Sequence, residues 1–278
     1  MIELERVRSK QAIPPSFRGK LRVNKGLTLL LAPGAERAFD SKYWKKAKTQ
    51  LKAETFGKCA YCEAPTSTVA YGDVEHFRPK SVYWWLAYCY DNYLFSCQIC
   101  NQQYKQDHFP LRDGAERLAE PRLPAQASDA DQEAFVRGMC PDPLVEADGM
   151  AWEAFAEACR NERALLLDPY IDDPKQHFAW EADEVQKYVY LKPGNTAAAD
   201  VFDAANRYFG LNRTELLLER WKVYRILETF RSALLSATLP GDIQDRVQNE
   251  IRAMMQPDAA FAGMCRFFIR QKWGLRLE

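Results

Sequence analysis

At 278 residues, with 38 Lys/Arg against 38 Asp/Glu, the chain is long enough to bury a sizeable core and carries no net charge. The zero balance argues against a general polyanion binder, and 47% hydrophobic with 27% charged residues is the composition of an ordinary soluble globular protein. No apolar run has the length of a bilayer span, and the first residues, MIELERVRSK, mix charges without the apolar segment of a secretory signal; a cytoplasmic protein with no membrane partner is expected.

In chain order, residues 1–60 hold 14 Lys/Arg against 5 Asp/Glu, a basic segment that either tracks a phosphate backbone or is a solvated face. Pro14, Pro15, Gly19, Gly26, Pro33 and Gly34 punctuate residues 1–35, which read as an irregular arm. Residues 37–55 predict a helix capped by Asp40 or Ser41, with Tyr43, Ala47 and Leu51 on one face. Residues 1–56 are thus a basic arm plus helix, and 57–112 a compact Cys/His region. The rest, 113–278, is mainly helical and the expected partner-docking surface. Within it, 113–150 read as loop with short elements, 150–167 as helix, 168–178 as a turn-rich connection and 180–194 as a hairpin. Residues 116–200 are acidic, with 8 Lys/Arg against 18 Asp/Glu, and read as solvated or partner-facing surface. From Thr196 onward the pattern is helical. Leu217, Trp221, Tyr224, Leu227, Phe230 and Leu234 recur at helical spacing and predict core packing. The fold class is α+β, mostly helical.

Eight cysteines in a reducing compartment point away from disulfides. Cys89, Cys140, Cys159 and Cys265 are scattered and read as small apolar core residues. Cys59, Cys62, Cys97 and Cys100 form two C-x2-C pairs, a donor set for tetrahedral zinc, with an iron–sulfur cluster or empty thiols as the alternatives. Four thiolates leave zinc no open position, so this ion is expected to be structural and not the catalyst.

Inside the loop that such a zinc would close, Val69, Tyr71 and Val74 favour a strand running into Glu75 and His76. A lone histidine is usually structural, but here a carboxylate able to hold a hard cation stands beside it. Adjacent strand residues point to opposite faces, so the pair can serve one atom only if the chain bends after His76. Asn92 sits in a loop ahead of the second cysteine pair. Asn101 and Lys105, four apart, share a face of a helix predicted to begin near Gln98.

The order CAYCE, VEHFRPK, Asn-x-Leu and C-x2-C-N-x3-K resembles the HNH endonucleases. It is most similar to the HNH subunits of Septu systems and the HNH proteins accompanying some retrons, both anti-phage. LLLDPYIDDPKQHF and FGLNRTELLLER extend the resemblance over much of residues 40–235. The resemblance implies a zinc-stapled ββα-metal core embedded in helical N- and C-terminal regions. It implies His76 as general base, Glu75 as ligand of a catalytic Mg2+ or Mn2+, and Asn92 as the residue that positions the loop. Asn101 falls where many members have the last histidine, the second cation ligand, so that ligand is open between Asn101 and His108, seven residues on. Arg78, Lys80 and Lys105 are candidate phosphate contacts, and Tyr83, Trp84 and Trp85 either stack on bases or pack in the core. With an ordinary imidazole at His76, activity would fall below about pH 6.

The substrate is nucleic acid, DNA being favoured; a nuclease for structured RNA would use the same site. A zinc-ribbon binding module without catalysis would keep the cysteines and leave His76 structural. The resemblance also implies a gating ATPase of the ABC/AAA type. No G-x4-G-K-[ST] occurs in this chain, so such an ATPase would be a separate subunit.

Overall fold

The computed structural model describes residues 1–66, 70–144, 149–236 and 239–277. Val69, part of the predicted strand, lies outside them. The architecture is α+β and mostly helical. Short helices and two small antiparallel sheets surround a four-cysteine cluster.

The first segment differs from the expected irregular arm. Gly19–Leu30 forms helix α1, and Met1, Ile2 and Leu4 are buried. Three of its arginines turn inward, while Lys20, Lys42, Lys45 and Lys46 stay exposed. Arg6 pairs with Glu54 at 3.0 Å and lies 3.6 Å from the Tyr170 ring centre, Arg8 pairs with Asp91 at 2.7 Å, and Arg22 donates to the Cys140 carbonyl at 3.0 Å. A buried guanidinium must be paired. These three arginines are therefore committed inside the fold rather than offered to a phosphate backbone.

The helix predicted over 37–55 is broken into α2 (Ser41–Trp44), a 3-10 turn (Lys45–Ala47) and α3 (Lys48–Glu54). Asp40 is the cap, accepting from the Lys42 amide at 3.0 Å. Tyr43, Ala47 and Leu51 are all buried, so the predicted face holds through the change of winding.

β1 (Asp73–His76) pairs antiparallel with β2 (Tyr93–Ser96), placing Glu75 opposite Leu94 and His76 opposite Tyr93. The chain then enters the core helix, a π-helical segment over Ile99–Lys105. Strand, strand and helix thus follow one another in the predicted order.

Beyond the core, 113–150 contains a full helix, α4 (Asp129–Met139), started by a reciprocal capping box between Ser128 and Asp131. α5 (Trp152–Asn161) stops short of the predicted end at 167. β3 (Phe178–Asp183) and β4 (Tyr188–Pro193) form the expected hairpin. α6 (Ala199–Phe209), α7 (Thr214–Leu234) and α8 (Gly241–Met254) follow. Leu217, Trp221, Tyr224 and Leu227 of α7 are buried, with Phe230 and Leu234 packed against them. One cluster of buried apolar side chains runs from Met1 through the hairpin to Ile269. Among the described residues, no helix is long and apolar enough to cross a membrane.

Gly72 seats the hairpin. Its φ of +62° is left-handed, and a Cβ there would lie 2.4 Å from the Phe95 ring on β2. Gly72→Ala is expected to destabilise the chain by about 1–3 kcal/mol, read as a lower urea midpoint at unchanged m.

Candidate active site

The four cysteines converge. Cys59, Cys62, Cys97 and Cys100 place all four Sγ atoms within 4.8 Å of one another, and three of the four residues are buried. Zn–S bonds of about 2.3 Å in a tetrahedron separate the sulfurs by about 3.8 Å, so the cage fits zinc. The first pair sits in a tight turn, with the Glu63 amide donating to the Cys59 carbonyl at 3.0 Å and the Ala60 amide to Phe95 of β2 at 2.9 Å. In the second, the Cys100 amide points at Cys97 Sγ from 3.4 Å. Among the described residues this is the one group of three or more His, Cys, Asp or Glu side chains able to hold an ion.

His76 ends β1 and is 8% exposed. Its ring is wedged edge-on against Trp44 at 4.9 Å and Tyr93 at 5.1 Å. Nε2 lies 3.0 Å from the Ala87 carbonyl oxygen. A carbonyl only accepts, so Nε2 carries the proton and Nδ1 holds the free lone pair. Burial drives the His76 pKa down to about 3, with Lys80 and Lys105 pushing the same way, and keeps the ring neutral.

Asn92 is buried and fully used. Its Oδ1 accepts from the Arg78 amide at 2.8 Å, and Nδ2 donates to the Arg78 carbonyl at 2.9 Å and the Leu86 carbonyl at 3.2 Å. It therefore clamps both ends of the 78–86 loop, next to the carbonyl that orients His76.

Glu75 points away from His76 toward the core helix, as strand alternation requires. The Lys105 ammonium sits 2.5 Å from Glu75 Oε1 and 3.1 Å from the His76 carbonyl. Asp73, two residues earlier on the same strand face, accepts from Asn101 Nδ2 at 3.4 Å and Gln102 Nε2 at 2.8 Å. Strand and helix thus oppose Asp73 and Glu75 to Asn101 and Lys105. Sequence reasoning missed Asp73, although period-two spacing from Glu75 marks it. Burial raises the Glu75 pKa, against the pull of Lys105.

His108 lies elsewhere, exposed, its ring 4.9 Å from that of Tyr208. Two expected phosphate contacts are not at the surface. Lys105 is fully buried on Glu75, and Arg78 is 2% exposed, pairing with Glu162 at 2.8 Å and donating to the Cys159 carbonyl at 3.3 Å. Lys80 remains partly exposed, 5.8 Å from the centre of the Trp44 ring. Tyr83, Trp84 and Trp85 are core residues.

This chain is similar to Septu protein PtuB of Bacillus mycoides (strain KBAB4). The two are 27% identical over 201 residues, covering 68% of this chain and 54% of the relative. The chain thus spans about half the length of the curated relative it matches. No family model and no solved structure matches it. The gathered cysteines fit the resemblance carried by CAYCE and the C-x2-C-N-x3-K motif.

Two outcomes follow from the buried charges. Lys105→Met leaves the Glu75 carboxylate buried without its cation and is expected to cost about 3–5 kcal/mol in urea denaturation. His76 is neutral in the folded chain down to about pH 3, whereas an unfolded histidine protonates near 6.5. In that window the unfolded state binds more protons, so acidification destabilises the fold; Glu75, raised by burial, contributes with the opposite sign above its ordinary value. The expected outcome is a Tm that drops from pH 6.5 to 4, less steeply in His76→Gln. The loss of base function expected below about pH 6 moves to more acidic pH for the same reason.

Proposed function

We propose that this chain is a metal-dependent HNH endonuclease that hydrolyses phosphodiester bonds in nucleic acid, DNA being favoured. Its proposed role is the cytoplasmic effector of an anti-phage defence system gated by a separate ATPase subunit. The observation that carries the reading is the geometry of His76: an imidazole at the end of β1, its Nε2–H held by the Ala87 carbonyl, its Nδ1 left with a lone pair. Any buried imidazole takes a partner for one nitrogen, as His76 does at Ala87; what fits a base is that the other nitrogen, Nδ1, carries no proton. A general base must keep one lone pair for the incoming proton.

In this reading His76 Nδ1 takes the proton from a water attacking phosphorus. Asn92 is a positioning residue that holds the loop next to the orienting Ala87 carbonyl. Glu75, through the oxygen that Lys105 leaves, and Asn101 would hold the catalytic cation, with Asp73 beside them. All three offer hard oxygen donors suited to Mg2+ or Mn2+. Glu75 and His76 face opposite sides of β1, but the chain bends at Phe77 and Arg78, directly after His76. A cation held by Glu75 would thus supply charge neutralisation to the phosphate that His76 serves past the strand end. Lys80 is the cation still exposed enough to meet a neighbouring phosphate. The four-cysteine site serves as staple and takes no part in the chemistry.

The likeness to Septu protein PtuB supports a role in a multi-subunit defence system. An effector that cuts nucleic acid must be restrained in its host, which supports control by a partner ATPase.

The test is cleavage of DNA and of RNA by the purified chain with Mg2+ or Mn2+, with and without the product of its neighbouring gene. His76→Ala is expected to lower cleavage about 10²–10⁴-fold with zinc content unchanged, and EDTA to abolish it. Equal cutting by wild type and His76→Ala would leave only a zinc-stapled binding module. Cutting of RNA alone would replace DNA as the substrate, and equal rates with and without the ATPase would remove the gating.

A further inference from the structure

FGLNRTELLLER, residues 209–220, shares the resemblance yet has no part in the proposed hydrolysis. In the structure it lies against the cysteine cluster. Phe209 stacks on Tyr61, the residue before Cys62, at 3.9 Å and 16°. Gly210 ends α6 in the left-handed conformation, at φ +62°. A Cβ there would stand 2.4 Å from the Tyr104 ring of the core helix. Asn212 ties the junction to β4, accepting from the Leu191 amide at 2.8 Å and donating to the Leu191 carbonyl at 2.9 Å.

Arg213 then reaches the sulfurs. Its Nη1 is 3.5 Å from Cys100 Sγ and its Nη2 is 3.8 Å from Cys62 Sγ, so one guanidinium spans both C-x2-C pairs. Nη1 also donates to the Gly210 carbonyl at 3.1 Å, which fixes the fork. Arg220, seven residues on and 4% exposed, donates to the Leu211 carbonyl at 2.7 Å and interacts electrostatically with Cys62 and Glu63.

Charge explains the arrangement. Zinc on four thiolates carries a net charge of −2, and three of these four residues are buried. Buried charge requires a counter-charge and hydrogen-bond donors. Outer partners of this kind orient ligands and tune the affinity of a metal site. We propose that Arg213, backed by Arg220, is the counter-charge of the four-cysteine zinc site, so that zinc loading locks the α6–α7 junction onto the hairpin–helix core. The inference rests on zinc at the cysteines and is independent of nuclease activity. The motif thereby couples the helical C-terminal region to the state of the metal centre.

The test uses the full chain. Zinc content is measured first, and wild type is expected to hold one equivalent. Its absence would overturn the zinc reading and this inference together, and would leave cleavage assays untouched. Release of zinc to a chromophoric chelator is then followed. Arg213→Gln is expected to release it about tenfold faster or more. Arg213→Lys, which keeps the charge without the fork, falls between Gln and wild type. Equal release by wild type and Arg213→Gln overturns the role of Arg213. A second readout needs no variant: amide hydrogen exchange in wild type before and after zinc removal. Exchange over 209–217 is expected to accelerate on removal while α8 is unchanged. Unchanged exchange over 209–217 overturns the lock.

Discussion

Four sulfurs within 4.8 Å of one another set the constraint around which the centre of this chain is arranged. A two-stranded hairpin with strands of four residues is marginal by itself in water. Here one cysteine pair precedes it and the other follows it, so a single ion on the four sulfurs would close the loop that contains both strands and the start of the core helix. Within that loop β1 lies against the core helix, with Asp73 and Glu75 meeting Asn101 and Lys105.

A second constraint is the cost of burying polar groups. Glu75, His76, Arg78, Asn92 and Lys105 are all buried within one short stretch. Each has a partner: Glu75 has Lys105, His76 has Ala87, Arg78 has Glu162, and Asn92 has the loop backbone. Such networks specify orientation more than they add stability. The imidazole of His76 is therefore held in one tautomer and one pose.

Much of this was legible in sequence. C-x2-C spacing chelates locally, so the cysteine cluster could be read without knowing the fold. The strand into His76, though it begins only at Asp73 and leaves the predicted Tyr71 exposed outside it, the helix starting near Gln98, the second hairpin and the α7 stripe follow from period and turn chemistry. Other features were not. Pro and Gly at residues 14–34 suggested an irregular arm, but only some of them interrupt the chain, and α1 forms between them. Arg78 and Lys105 looked like surface charge because sequence does not reveal a carboxylate 84 residues away or across a helix. Ala87 carries no side-chain signal at all, since its backbone oxygen makes the contact.

The sequence by itself determined which residues can chelate, which can hold or accept a proton, and which stretches favour strand or helix, because these properties are local. Tertiary structure alone decided the partner of each charge, the free nitrogen of His76 and the placement of Arg213 on the sulfurs. Those outcomes depend on burial and on contacts between distant segments. Desolvation, which no local pattern encodes, makes each of them matter.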